Sequence, residues 1–407
     1  MSSQPLDDKL DRFRHLIVKA PQEQTKSPTK HPARYSRLAE SLQAELVTTR
    51  KGAFCLKRTI FPLDYPHGSV TLSETVKAPA LPVSAFTAHE ESGEADITRL
   101  VYIDTETTGL GGAGIVPFLI GVGQITEAGF EVCQYLIPDY EDEAAMLEAL
   151  LPRIVEPRLV TYNGAAFDLP ILRDRYIINR IERNLEFAGS IDLLQPTRRL
   201  FKRRLKDCSL GNVERELFGF ERVDDLPGYL VPSVYFEWLS SERTDQLAGV
   251  LQHNLLDIVS LHFLAVHIAD SFLSEGGILK ATDDVYSLSR VYHRRNDRPR
   301  VRKLCRRLDD ETDGPLPDDI RLFQAFALKR DGDWEAAAET FAALATLGSR
   351  EGYWANLELS KYFEHVCKDY SQSAFYASKA LSSCPCSPNE KERLQHRLTR
   401  LQTKSRS

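Results

Sequence analysis

The sequence predicts an α/β unit, a mixed sheet flanked by helices, followed by an all-α region of helical repeats. Three observations carry this. Short apolar runs bounded by turn residues, at Leu100–Ile103, Phe118–Gly123, Phe130–Ile137 and Leu159–Tyr162, have the texture of buried strands. Apolar residues at helical spacing, such as Met146, Leu147, Leu150, Leu151 and Ile154, alternate with them, and three strands followed by alternating helices and strands describe a mixed sheet with helices packed on it. Beyond about residue 280 no strand pattern recurs, and Asp297, Asp333 and Asp369 stand 36 residues apart.

At 407 residues the chain has room for two or three domains, each with its own core. The formal net charge is only −6, so contact with nucleic acid has to come from local basic patches. Seven scattered cysteines suggest free thiols in a reducing compartment. The opening MSSQPLDDKLDR has neither the basic start nor the apolar run of a secretion signal, and the expected location is the cytoplasm. Thr107–Thr126 is the longest charge-free run, but six glycines and Pro117 break it, so no membrane span is expected there.

Taken in order, Leu6, Leu10, Phe13 and Ile17 predict an amphipathic helix over 6–18, and the polar, Pro-bearing 20–33 reads as a linker. Leu38, Leu42 and Leu46 repeat at helical spacing, and Phe54, Leu56 and Ile60 suggest strands. Residues 78–96, rich in Ala, Pro, Ser and Glu, mark a boundary, which makes 1–96 an N-terminal appendage of helices and short strands. An α/β domain fills 97–272. Helices are expected at about 169–181, 197–206, 209–218 and 246–272, with a Pro-rich loop at 222–234. Over 280–400, each of the three spaced aspartates has an apolar residue six positions before it (Val291, Ala327, Phe363), with others eight (Cys305, Phe341, Ala377) and eleven after (Leu308, Leu344, Ala380). Helix–turn–helix units of this period resemble tetratricopeptide repeats, which usually bind protein partners.

Acidic residues in three segments carry the chemistry. In Leu100-Val-Tyr-Ile-Asp-Thr-Glu-Thr-Thr-Gly-Leu110, side chains alternate along the strand, so Asp104 and Glu106 share a face. Two carboxylates on an apolar strand need a cation or hydrogen-bond donors unless the strand runs out into solvent. Asn163-Gly-Ala-Ala-Phe-Asp168 follows a strand and precedes a helix, where Asp168 could equally be an N-cap. His253-Asn-Leu-Leu-Asp257 lies inside the long helix, and a spacing of four puts His253 and Asp257 on one face.

In this order and spacing, the three motifs resemble the DEDD exonuclease branch of the RNase H-like superfamily, and more narrowly the YprB-type ribonuclease H-like domain. The similarity includes Gly109-Leu-Gly-Gly-Ala-Gly114, Ile191-Asp-Leu-Leu-Gln-Pro-Thr-Arg-Arg-Leu200, Cys208-Ser-Leu-Gly211, Gly228–Pro232 and the upstream Leu63-Asp-Tyr-Pro-His-Gly68. The resemblance implies an RNase H-like mixed sheet and a metal-dependent nuclease, most readily a 3′→5′ exonuclease acting on a single-stranded end. An endonuclease on the same fold and a non-catalytic binding scaffold are the alternatives. It further implies that Asp104, Glu106, Asp168 and Asp257 hold two Mg²⁺ or Mn²⁺ ions, which oxygen-only ligands suit, with His253 orienting or deprotonating the attacking water. In the superfamily the last motif has Tyr with three intervening residues or His with four. Here His253 stands at the tyrosine's spacing.

Thr107, Gly109 and Asn163 flank the acids and are expected to meet a nucleotide backbone. Arg198–Lys206 carries six Lys or Arg among nine residues, so Arg198, Arg199, Lys202 and Arg203 form a candidate phosphate-binding face or a solvated helix face. Residues 290–307 carry nine among eighteen and suggest that the repeats also hold nucleic acid. His365-x-Cys367 and Cys384-Pro-Cys386 have one-residue spacings unlike those of zinc sites.

Overall fold

The computed structural model describes residues 33–89, 91–109, 114–383 and 387–406. The helix expected over 6–18, most of the linker, the Gly-rich residues 110–113 and the Cys384–Cys386 pair lie outside them.

A helix, α1 (Ala33–Leu42), leads into β1 (Glu45–Thr49) and β2 (Gly52–Phe61). The central run is β3 (Leu100–Thr107), β4 (Pro117–Thr126), β5 (Gly129–Leu136), α2 (Glu143–Ile154), β6 (Arg158–Thr161), α3 (Asp168–Ile178), β7 (Ser190–Asp192), α4 (Leu194–Leu205), α5 (Leu210–Phe218), α6 (Val231–Ser241) and α7 (Leu247–Leu273). Seven strands form one sheet in the order β1-β2-β5-β4-β3-β6-β7. The β3/β6 and β6/β7 pairs are parallel and the rest antiparallel.

Both faces of the sheet are covered, which is why β3 opens as a continuous apolar run. Leu100 and Tyr102 pack with Ile258, Val259 and Leu261 of α7, whereas Val101 and Ile103 pack with Met146, Leu150 and Leu172 of α2 and α3. Alternation therefore decides where the polar end of β3 points. Asp104 and Glu106 follow Leu100 and Tyr102 toward α7, and Thr105 follows Val101 and Ile103 toward α3. Helix α7 is long and apolar enough to cross a membrane, but 83% of its most apolar window is buried inside the protein, as a core helix shared by both halves of the sheet.

The N-terminal part is not an appendage. β2 pairs along its length with β5, from Cys55 opposite Leu136 to Phe61 opposite Phe130, and Leu46 lies in β1 instead of continuing α1. The expected boundary at 78–96 is a small antiparallel pair, Ala80–Pro82 with Glu94–Asp96, whose Leu81, Val83 and Phe86 join the main core. Its Ala/Pro/Ser composition imitates a linker because the pair is short and its alternate residues face solvent. The loop expected through 234 ends earlier, since Pro232 sits in the first turn of α6, where it is tolerated.

Past α7 the chain is helical: α8 (Thr282–Arg294), α9 (Arg298–Glu311), α10 (Asp318–Asp331), α11 (Trp334–Leu344), α12 (Arg350–Tyr362), α13 (Tyr370–Ser383) and α14 (Pro388–Arg406). The 36-residue period has a local cause. Asp297 and Asp333 are N-caps of α9 and α11, accepting from the Arg300 and Ala336 amides. Asp369 accepts from the Gln372 amide at the start of α13. The first of these helices is joined to the sheet unit, because Val285, Leu288 and Val291 share its core.

Candidate metal centre

Asp104 lies opposite Gly121 of β4, which lies opposite Gln134 of β5. With no side chain at Gly121, α7 approaches closely, and Asn254 enters the gap. Its Nδ2 donates to Asp104 Oδ2 over 2.9 Å, while its Oδ1 accepts from Gln134 Nε2 over 2.9 Å. His253 immediately precedes Asn254 on α7, and Asp257 follows it by three residues, just under one turn. Ligand atoms of Glu106, His253 and Asp257 all lie within 4.8 Å of one another, so strand and helix deliver the first and last acidic motifs to one point.

Asp168 is not part of that group of ligand atoms; it approaches from the other face of β3, where its charge adds to those acting on Asp104. Its side chain does not cap α3. It accepts instead from the Thr105 hydroxyl over 2.5 Å, and the turn that aims it is held by Asp192. Asp192 Oδ1 accepts from the Asn163 and Leu194 amides, and its Oδ2 from the Ala165 amide. Asn163 has a φ of 67°, a left-handed conformation that asparagine tolerates better than most residues.

The electrostatics are those of crowded acids. Burial, then the charges of Asp257, Glu106 and Asp168, push Asp104 well above the ordinary carboxylate range. Burial and Asp257 push Glu106 up to about 7. Asp168 is also raised by burial, against its bond from Thr105. On His253, burial acts downward, but Asp257, the bond to Asp225 and Glu106 outweigh it and hold the imidazole above its usual range. Acids forced to keep protons by one another have room for positive charge, and a divalent cation bound by oxygens fits this donor set.

Two residues that the sequence reading passed over complete the surroundings. Arg222 Nη2 bonds Asp257 Oδ1 over 2.5 Å, and Asp225 Oδ1 meets His253 Nδ1 at 2.9 Å. Both lie in the stretch expected to be a Pro-rich loop, where no periodicity marks a functional position. Only their charge, in a segment otherwise read for its prolines, could have drawn attention.

Residues 101–269 match the RNase H superfamily. Over 360 residues, 86% of this chain and 86% of the relative, the sequence is 34% identical to the uncharacterized protein YprB of Bacillus subtilis (strain 168). The chain belongs to the YprB family. A solved structure similar to it is the family B DNA polymerase from the hyperthermophilic archaeon Pyrobaculum calidifontis, with 15% identity and a TM-score of 0.32, covering 48% of this chain and 29% of the polymerase. The chain thus spans less than a third of that polymerase.

Around this YprB-family centre, the remaining site residues of the sequence reading are dispersed. The Thr107 hydroxyl donates to the Gly109 carbonyl over 2.7 Å, which pins the start of the glycine loop beside Glu106. On α4, Arg198 and Lys202 are exposed. Arg199, half-buried, and Arg203, exposed, are both engaged with other parts of the protein. Arg199 donates to the Thr87 carbonyl, and Arg203 pairs with Asp283 and Asp319 and lies over the Tyr286 ring. These two fasten α4 to neighbouring segments. In the second basic run, Arg300 and Lys303 pair with Glu275 and Arg302 with Asp331; Arg294, Arg298 and Arg306 are exposed, as are Arg302 and Lys303.

Proposed function

We propose that this protein is a divalent-metal-dependent nuclease that hydrolyses phosphodiester bonds, releasing nucleotides from a 3′ end in the manner of DEDD exonucleases. The observation that supports this best is the meeting of Glu106, His253 and Asp257 within one 4.8 Å cluster beside Asp104 and Asp168. Asp104, Glu106, Asp168 and Asp257 are the residues to hold two Mg²⁺ or Mn²⁺ ions. When bound, such ions supply activation of a water and stabilisation of the leaving oxygen.

The chain's own groups do the rest. His253 is turned by Asp225 at Nδ1, which leaves Nε2 toward Asp257 and Glu106. With the charges of Asp257 and Glu106 offset by bound cations, Asp225 alone would oppose burial, which favours the neutral ring able to take a proton from water. Thr107 and Gly109 on one side and Asn163 on the other are suited to the substrate backbone, and Arg198 and Lys202 to more distant phosphates. The helices after α7 are read as tetratricopeptide-like repeats available to a protein partner. The free thiols of Cys55, Cys133, Cys208, Cys305 and Cys367 accord with a cytoplasmic protein.

The test is digestion of 5′-labelled single- and double-stranded DNA and RNA with Mg²⁺ or Mn²⁺, with Asp104→Asn alongside. Stepwise shortening lost in the variant supports the exonuclease. Internal cuts make the protein an endonuclease, and binding without cleavage makes it a scaffold.

A further inference from the structure

We infer that Arg222 is a positioning residue of the centre, which fixes Asp257 by one carboxylate oxygen and leaves the other to a metal ion. The inference rests on the metal-dependent reading above. Arg222 Nη2 holds Asp257 Oδ1 at 2.5 Å, while Asp257 Oδ2 faces His253 Nε2 at 3.6 Å. The two oxygens thus have different partners, and only Oδ2 is turned into the cluster.

The guanidinium is anchored from behind. Its Nε and Nη2 grip both oxygens of Glu214 at 2.8 and 2.5 Å, and its Nη1 meets Asp225 Oδ2 at 3.1 Å. The Arg222 side chain is only 9% exposed and that of Glu214 1%, so the fork cannot swing into solvent without leaving a buried acid unpaired. Asp225 gives its other oxygen to His253. One short segment therefore orients both functional residues of the α7 motif. A simple core ion pair between Arg222 and Glu214 would need neither contact.

The mounting reaches back to the Leu63–Gly68 motif, which the proposed chemistry does not use. His67 is stacked between Phe220 and Phe263, with ring centroids 4.0 and 4.6 Å away, and the Ser69 amide donates to the Phe218 carbonyl. His67 Nε2 meets the Ser260 hydroxyl at 3.2 Å, and Ser260 is close enough to Glu214 to act against the rise of its carboxyl. Burial pushes His67 down to about 3, so the ring is neutral. With Nδ1 left without a partner, a proton on Nε2 fits the Ser260 contact. The N-terminal motif thus holds in place the turn from which Arg222 projects.

The experiment is Mn²⁺ titration of the full-length protein, followed by the electron paramagnetic resonance of free Mn²⁺, for the wild type, Arg222→Lys, Arg222→Gln, Asp225→Asn and Asp104→Asn. Thermal midpoints are taken in EDTA. Arg222→Lys keeps the charge and loses the fork, so weakening of Mn²⁺ binding by about tenfold or more, the usual effect of losing a partner that orients a ligand, supports positioning. Wild-type affinity in Arg222→Lys, or tighter binding in Arg222→Gln, overturns it, because Arg222 is then only a charge beside the site. Should the Arg222 variants not fold, Asp225→Asn leaves the Arg222–Glu214 pair intact and decides the matter. Binding weakened several-fold supports the inference, and unchanged binding sinks it. Wild-type protein that binds no Mn²⁺ sensitive to Asp104→Asn refutes the metal reading itself, which is a separate failure.

Discussion

Asn254 and Asp104 meet over a gap that a side chain at position 121 would fill. The Asn254 amide reaches Asp104 at 2.9 Å, and a Cβ on Gly121 would stand 2.2 Å from Asn254 Oδ1 and 2.9 Å from Ile258. Gly121 has an ordinary strand conformation, so what requires glycine there is the closeness of the helix. Gly121→Ala should therefore push α7 off the sheet and cost about 1–3 kcal/mol of stability, the usual range for an overpacked core. Urea denaturation checks the cost. Mn²⁺ titration of the folded variant should show weaker binding, because Asp104 loses its orienting amide.

Asp104→Asn should separate stability from metal binding. In the metal-free protein Asp104 is held up by burial and by Asp257, Glu106 and Asp168, so a neutral isostere relieves repulsion while Asn254 can still donate to its oxygen. We expect a thermal midpoint in EDTA at or above that of the wild type. In the presence of Mg²⁺, turnover should fall about 100-fold or more, roughly 3 kcal/mol of transition-state stabilisation. A variant that is both unstable in EDTA and active would remove Asp104 from the centre.

The first acidic motif was legible from sequence because its message is local. Alternation along β3 put Asp104 and Glu106 on one face, and the same rule carried Thr105 to Asp168. The period of Asp297, Asp333 and Asp369 was legible for the same reason, since each caps a helix within three residues of itself. The parts that escaped depend on distant pairings. β1 and β2 join the sheet only through β5, about 70 to 80 residues further along the chain. Asn254 was hidden between His253 and Asp257, and its meaning depends on a glycine on the strand beside Asp104. Asp192 is one acid in a three-residue strand, and Arg222 one cation in a loop. No periodicity marks either.

pH gives a third expectation. Glu106 is raised from 4.5 to about 7, by burial first and by Asp257 next. In the folded protein it keeps a proton that the unfolded chain has released. The associated stability is complete below about 4.5 and is lost as pH rises through about 7. The thermal midpoint in EDTA should therefore fall across this window, and Glu106→Gln should flatten the fall. Mg²⁺ should restore stability at the alkaline end, where the carboxylates are ionised and free to bind it. An equally steep fall in Glu106→Gln would assign the loss to another group.

The basic helix α4 divides into cations that face solvent and cations that fasten it. Arg198 and Lys202 are exposed, while Arg203, though also exposed, is tied to Asp283 of α8 and Asp319 of α10 and lies over Tyr286. Neutralising Arg198 and Lys202 together should weaken binding of single-stranded nucleic acid. It should also reduce the slope of log affinity against log salt by about one per phosphate contact removed, with no change in thermal stability. Arg203→Ala should do the reverse. It leaves Asp283 and Asp319 without their shared cation, so the thermal midpoint should drop while the salt slope holds. Fluorescence anisotropy across a salt series, paired with thermal melts, reads both quantities. If Arg203→Ala alters the slope and the Arg198/Lys202 pair does not, the nucleic acid runs along the junction with the repeats and not along the exposed face of α4.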